Sequence, residues 1–129
     1  MIEFYFLPDR KPLFNELTAK SYPEILSLEG VFTIVIENKV FFEEPHFSIL
    51  EFLFQVGAWF QSPQGMNRDM NYNSIDVQDD VNPLISFRIQ GESWRIFSPW
   101  QNFNCNCLFT IEQLKVAIES VRESLEHIA

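Results

Sequence analysis

The sequence is poor in cysteine, glycine and basic residues, and each shortage excludes a class of protein. Cys105 and Cys107 are its only cysteines, and their spacing excludes the disulfide framework of a small secreted domain. The four glycines form no phosphate-binding cluster. Nine basic residues against 18 acidic ones give a formal net charge of −9, which argues against nucleic acid and anionic lipid as partners.

Long apolar runs are also missing. No apolar segment approaches the roughly 18 residues of a membrane span. Residues 1–4 lack the basic stretch followed by an apolar run that marks a signal peptide. We therefore expect a protein that enters no membrane and stays in the cytoplasm, where thiols are kept reduced.

Aromatic residues, by contrast, are abundant. The chain has 14 phenylalanines among 129 residues and is 47% hydrophobic, a composition that excludes intrinsic disorder. A chain of this size buries roughly two-thirds of the surface that it exposes when unfolded. No repeat, low-complexity tract or linker divides the sequence, so we predict a single domain over residues 1–129.

Residue alternation and turn signals predict two hairpins within a set of strands. Asn38-Lys39 is a plausible two-residue turn in the first hairpin, and Pro45 is expected to close it. Gly91-Glu92 suits a type II′ turn in the second hairpin. That register pairs apolar residues across the strands, Ile89 with Trp94 and Phe87 with Ile96. The predicted strands are 2–7, 31–37, 40–44, 70–77, 84–90 and 93–98.

Helical periodicity predicts three helices, of which the first, within residues 9–28, is short. Residues 48–61 are apolar nearly all round, with Glu51 and Gln55 as a narrow polar stripe, so this helix should be central and buried. Thr110 and Gln113 form a capping box ahead of an amphipathic C-terminal helix. The predicted fold class is α+β, an antiparallel sheet built from hairpins with a buried central helix and the C-terminal helix packed on it.

Few residues are suited to catalysis or metal binding. A thiol nucleophile would require Cys105 or Cys107 to meet the imidazole of His46 or His127 in space. Zinc sites normally space their cysteines by two to four residues and use four protein ligands. The aspartates of 76–80 lack the glycine and the late glutamate of a calcium-binding loop. We predict no catalytic residue, no cofactor and no metal ligand.

The acidic residues are unevenly distributed. No Lys or Arg occurs from position 40 to position 67, and the aspartates that follow are accompanied by Arg68 alone. This pattern is typical either of a solvated face that keeps an aromatic-rich protein soluble or of a docking patch for a basic protein. The loop 78–83 is the stronger candidate for docking because loops carry recognition.

Two further features have alternative interpretations. Arg88 and Arg95 are predicted to lie directly opposite each other, where like charges repel. Either a neighbouring strand supplies a carboxylate, with Asp76 as one candidate, or the two arginines grip an anion or carboxylate of a partner. Trp100 is either a lid on the core or an anchor at an interface.

Several segments of the second half of the chain carry a resemblance to a known family. They are 71–76 (NYNSID), 82–87 (NPLISF), 91–96 (GESWRI), 98–101 (SPWQ) and 110–114 (TIEQL). These segments resemble small bacterial immunity proteins, which are encoded beside polymorphic toxins, including those of contact-dependent growth inhibition. The resemblance implies that the chain binds and blocks the C-terminal domain of a cognate toxin, protecting the producing cell and its siblings.

The toxins of such systems are often nucleases and many are basic, which agrees with the acidic charge of this chain. The resemblance transfers no binding residues, so the predicted surface comes from the residues themselves. Carboxylates would replace the phosphates that the toxin normally holds, and aromatic anchors would form a dry centre. We expect a monomer before complex formation. The predicted toxin-binding residues are Glu43, Glu44, Asp69, Tyr72, Asp76, Asp79, Asp80 and Trp100.

Two other functions remain open on the sequence alone. An aromatic-rich interior can leave a cavity for a small molecule or peptide, as in a regulatory or adaptor module, and a large closed apolar pocket would favour it. A hydrolase would need Cys105 or Cys107 within hydrogen-bond reach of His46.

Overall fold

The computed structural model describes residues 1–18, 24–62 and 67–129. The predicted α+β class is confirmed, although the strands form two antiparallel three-stranded sheets, ordered β1-β2-β3 and β4-β5-β6. The strands are β1 (Ile2–Pro8), β2 (Glu29–Ile36), β3 (Lys39–Ser48), β4 (Met70–Tyr72), β5 (Ile85–Gln90) and β6 (Ser93–Phe97). The α-helices are α1 (Ile49–Gln61) and α2 (Ile111–Ile128).

The turn between β2 and β3 lies one residue earlier than predicted. Glu37 and Asn38 occupy its two central positions, with φ values of 51° and 66°, and Ile36 pairs with Lys39. Two successive left-handed residues characterise the type I′ turn, whose twist matches that of the flanking strands. The predicted turn at Asn38-Lys39 is wrong because alternate burial extends along β2 as far as Ile36, which sets the register.

The third strand does not end at Pro45, contrary to the prediction, but continues to Ser48. Its register against β2 shifts between Gly30 and Phe32, which places Pro45 at an irregularity on an outer strand. Proline is tolerated there because it need not donate a ladder hydrogen bond. The extension brings Phe47 into the core, where its ring stacks 4.6 Å from that of Phe32.

Aromatic rings join both sheets and α1 into one core. Phe52 of α1 lies 5.4 Å from Phe32 of the first sheet and 5.2 Å from Tyr72 of the second, between ring centroids. Phe4 and Phe87 connect the two sheets directly at 6.4 Å. Such aromatic pairs contribute about 0.5–1.5 kcal/mol each beyond the area that they bury.

Helix α1 is mostly buried, as predicted, but the predicted polar stripe is wrong at one of its two positions. Glu51 is 0% exposed, whereas Phe54 is 43% exposed. The carboxylate of Glu51 accepts hydrogen bonds from the phenol of Tyr72 and the backbone N–H of Ile75, and these contacts offset the cost of burying it. Gln55 is half-buried.

The second hairpin has the predicted register. Phe87 pairs with Ile96 and Ile89 with Trp94. Gly91 has a φ of +64°, and its turn contains no other left-handed residue, as a type II′ turn requires.

The strand predicted over 70–77 is limited to β4 (Met70–Tyr72). Beyond Tyr72 the backbone of Asn73 bonds to the side chain of Gln55, and that of Ser74 bonds to Asn82. These side chains replace the strand ladder, so the chain leaves the sheet.

The capping box of α2 is confirmed. Thr110 Oγ1 accepts from the N–H of Gln113 at 3.2 Å, and Gln113 Oε1 accepts from the N–H of Thr110 at 2.9 Å. The helix packs against β1, and its buried residues are Leu114, Ala117, Ile118, Val121 and Leu125. Within the described ranges, no helix is both long and apolar enough to cross a bilayer.

The helix predicted within 9–28 is wrong over the residues that are described there. Two 3-10 turns, Phe14–Thr18 and Glu24–Leu26, occupy this region. A short helix cannot recover its nucleation cost without tertiary packing, and Phe14–Thr18 has no buried residue. The part of the prediction that depended on Ala19 and Tyr22-Pro23 lies outside the described residues.

Candidate functional site

The residues that connect β4 to β5, 73–84, form an ordered acidic loop. The side chain of Asn82 accepts from the N–H of Ser74 and donates to its carbonyl, each at 2.9 Å. The hydroxyl of Ser74 in turn accepts from the N–H of Asp76 at 3.2 Å. A segment without regular structure therefore keeps a defined shape, which lowers the entropy that binding would cost.

The acidic loop is fastened to the first half of α1. Gln55 exchanges two hydrogen bonds with the backbone of Asn73, at 2.8 and 3.0 Å. The hydroxyl of Ser48, the residue that precedes α1, donates to Asp76 at 2.7 Å. This contact places a carboxylate near a helix N-terminus, where the helix dipole favours negative charge.

Asp79 and Asp80 are exposed on this loop, and neither forms an ion pair within the described ranges. Asp80 lines an open concavity of about 440 Å³ together with Pro99 and Gln101. Trp100 lies between those two residues in the sequence and is 42% exposed, so part of its ring is open to a partner. The fold thus brings Asp80 and the Trp100 loop to one place.

Of the other predicted acidic residues, Glu43 and Glu44 lie on β3 and Asp69 directly precedes β4, and each has contacts of its own. Glu43 accepts from the hydroxyl of Thr33 at 3.1 Å, and Glu44 accepts from the N–H of His46 at 3.0 Å. Asp69 accepts from the N–H of Ile89 at 2.8 Å. Among the described residues none of these three carboxylates is hydrogen-bonded to the acidic loop, so the contacts do not join the predicted set into one patch.

Tyr72 was predicted to contact a partner, and that prediction is wrong because the residue is 0% exposed. Its phenol donates a hydrogen bond to Glu51 at 2.6 Å. Burial is the larger cause that raises the pKa of Tyr72, and this hydrogen bond is the second. Tyr72 instead supports the carboxylate that holds the N–H of Ile75. In the sequence, the one sign of the buried Glu51–Tyr72 pair is a single acidic residue in an otherwise apolar helix. The same sign is expected of a residue on an exposed polar stripe, so the sequence does not distinguish the two.

Arg88 and Arg95 face each other across β5 and β6, as predicted. The expectation that Asp76 compensates them is wrong, since Asp76 bonds to Ser48. Neither arginine forms an ion pair with a described residue. Both guanidinium groups lie instead over the ring of Phe97, at 4.2 and 5.0 Å from its centroid.

The whole of this architecture falls within one family. Residues 2–128 match the model of a domain of unknown function, DUF7878. The chain belongs to that family. No curated protein and no solved structure matches it. The acidic loop, the Trp100 loop and the two arginines are thus parts of the DUF7878 domain itself.

Neither thiol of this DUF7878 domain is hydrogen-bonded to an imidazole within the described residues. Cys105 is buried and Cys107 is exposed, and both are free. Burial is the main cause that raises the pKa of the Cys105 thiol. No hydrogen bond joins either thiol to the exposed His46 in the described ranges. The same ranges contain no group of three His, Cys, Asp or Glu residues arranged to hold a metal ion.

Proposed function

We propose that this DUF7878 domain is a cytoplasmic immunity protein that binds a basic partner, the toxin domain encoded beside it, and neutralises it. The observation that carries the proposal is a surplus of carboxylates on an ordered loop, where Asp76, Asp79 and Asp80 form no ion pair with a described residue. The formal charge is −9. The toxin is proposed to be a nuclease, because a nuclease must present cations to a phosphate backbone.

The charge balance of the described residues supports an external partner. The ion pairs in these ranges are Arg10 with Glu16 and the N-terminal amine with Glu37. Asp76, Asp79 and Asp80 take part in neither. A negative potential that is not cancelled internally extends into solvent, speeds encounter with a basic protein and disfavours acidic ones.

The order of the loop supports tight binding. Asn82, Ser74 and Gln55 hold the backbone of the acidic loop before any partner arrives. Binding then costs little entropy for ordering the acidic loop, so more of the contact free energy contributes to affinity. Asp79 and Asp80 would occupy positions that phosphates take on the toxin, while the half-exposed Trp100 would supply an apolar anchor.

The alternative of a small-molecule or peptide module is less well supported. A small-molecule site is typically a large, closed, apolar pocket. In this protein the rings of Phe32, Phe47 and Phe52 fill the interior and contact one another. The concavities of the described residues are open grooves on the surface. A thiol hydrolase is disfavoured by the absence of any described thiol–imidazole contact.

The test begins with the adjacent reading frame, which should encode a large exported protein ending in a small basic domain. Expression of that domain should stop growth, and co-expression of this chain should restore it. Purified chain and toxin domain should associate with a rate that falls as salt is added. Failure to rescue growth rejects the immunity function, and a rate that is indifferent to salt rejects the electrostatic mechanism.

Two pairs of substitutions test whether the acidic loop or the total charge sets the association rate. Replacing Asp79 and Asp80 by Asn should slow association about three- to tenfold at low salt, because two charges next to the partner are removed. Replacing Glu119 and Glu123, on the exposed side of α2, by Gln changes the net charge equally and serves as the control. Equal slowing by both pairs would show that total charge matters and that the acidic loop does not.

A further inference from the structure

One face of the β5–β6 hairpin holds two closely placed cations, Arg88 and Arg95. Arg88 and Arg95 are cross-strand partners, and both guanidinium groups rest against Phe97. Cation–π contact holds a guanidinium in place without neutralising it. The like charges therefore add to each other, because no described carboxylate lies within 4.0 Å of either group.

The hydrogen-bonding capacity of these arginines is only partly used. Arg95 donates to the carbonyl of Cys105 at 3.3 Å and to Asn106 Oδ1 at 3.0 Å. Its Nε is buried and has no partner among the described residues. Arg88 is exposed and donates no hydrogen bond to any described residue. The donors of the exposed Arg88 are therefore available to an anion from solvent.

The open concavity beside Arg88 is polar where it meets the sheet. Ser86, on the same face of β5 as Arg88, lines it and is 1% exposed. Phe97, Ser98 and Gln101 line it as well. Its volume of about 440 Å³ leaves room for a small anion beside Arg88, although the groove is open to solvent.

We propose that this concavity binds a small oxyanion, a carboxylate or phosphate group, with Arg88 as its principal donor. The planar guanidinium offers two parallel N–H donors that match a carboxylate or phosphate edge. Ser86 adds a hydroxyl, and Arg95, the cross-strand partner of Arg88 on the same face, contributes positive potential. Asp80 lines the same concavity and weakens the attraction. The inference concerns the protein alone and does not require the toxin.

The experiment titrates the purified full chain with inorganic phosphate and, separately, with acetate, following backbone amides by NMR. Saturable shifts confined to Ser86, Arg88, Phe97 and Gln101 are expected for at least one anion, and the anion that saturates identifies the ligand as phosphate or carboxylate. Arg88→Gln should weaken binding by at least about tenfold, the loss of one charge-assisted hydrogen bond. Arg88→Lys should recover part of it, since charge remains but the planar fork is lost.

Two controls make the result decisive. Lys115→Gln removes the same charge from an exposed position of α2 and should leave phosphate binding within about twofold. Asp80→Asn should strengthen phosphate binding, because a like charge leaves the concavity. Shifts that do not saturate with either anion, or binding that survives Arg88→Gln unchanged in a protein that still unfolds cooperatively, would overturn the proposal.

Discussion

The phenol of Tyr72 donates a 2.6 Å hydrogen bond to the carboxylate of Glu51 in the interior of the protein. Tyr72 ends β4, and Glu51 lies in the first turn of α1. The other carboxylate oxygen of Glu51 accepts a hydrogen bond from the N–H of Ile75, a residue of the acidic loop. One buried acid thus links the second sheet, the central helix and the candidate binding loop.

Tyr72→Phe should destabilise the protein by about 1–3 kcal/mol, because it removes a donor from a buried carboxylate. Tyr5→Phe is the matched control, since the exposed phenol of Tyr5 also donates to an acid, Glu3. Its effect should stay within about 0.5 kcal/mol. Denaturant unfolding of both variants measures the difference, and equal losses would contradict the importance of burial.

Glycine-to-alanine substitutions should have opposite effects at two positions. At Gly30 a Cβ would lie 2.2 Å from the carbonyl oxygen of Leu7, which is backbone and cannot move freely. Gly30→Ala should therefore cost more than about 2 kcal/mol. At Gly57, within α1, the nearest atom is Arg122 Nη2 at 3.1 Å, the end of a flexible side chain.

Gly57→Ala should range from neutral to stabilising by about 1 kcal/mol, because alanine is the better helix former. Thermal unfolding of the two variants provides the comparison. A large loss at Gly57 would mean that the hydrogen bond from Arg122 to the carbonyl of Leu53 resists displacement.

Stability should depend on pH through Glu16. Hydrogen bonding to Arg10 is the main cause that lowers the pKa of Glu16 from 4.5 to about 2. A lowered folded-state pKa stabilises the protein above pH 4.5, and this stabilisation disappears as the pH falls towards 2. The pair is partly exposed, so its contribution at pH 7 should be about 1 kcal/mol or less.

Glu16→Gln should consequently lower the free energy of unfolding at pH 7, and the gap to the unsubstituted chain should narrow between pH 4.5 and pH 3. Glu24→Gln, an exposed acid whose side chain forms no described bond, should show no such trend. Denaturant midpoints across this pH range test it. A gap that is constant with pH would argue against the ion pair.

The capping box gives a local prediction. Thr110→Ala removes the acceptor for the N–H of Gln113 and should cost about 1 kcal/mol. Ser124→Ala, an exposed change in the interior of α2, should be neutral or slightly stabilising. Circular dichroism during thermal unfolding distinguishes them. Equal midpoints for the two variants would mean that packing on β1 alone fixes the start of α2.

Local patterns were sufficient for three features of the fold. The capping box at Thr110, the Gly91 turn and the pairing of Ile89 with Trp94 follow from residues a few positions apart. Predictions failed where distant residues decided the outcome. Pro45 is accommodated in β3 because β2 shifts its register there, and residues 73–77 leave the sheet because Gln55 and Asn82 bind their backbone.

The same distinction applies to the candidate site: some of its properties follow from composition and others depend on the tertiary structure. The sequence alone determined that the chain is acidic, rich in aromatics and sufficient for a core, because these properties depend only on composition. Only the tertiary structure decided that Glu51 and Tyr72 are inside and that the half-exposed Trp100 lies in a loop that meets Asp80. It also decided that Arg88 and Arg95 form no ion pair with a described residue. Burial and charge pairing depend on residues that are distant in the sequence and that only the folded chain brings together. The periodicity of a single segment gives no information about which residues those are.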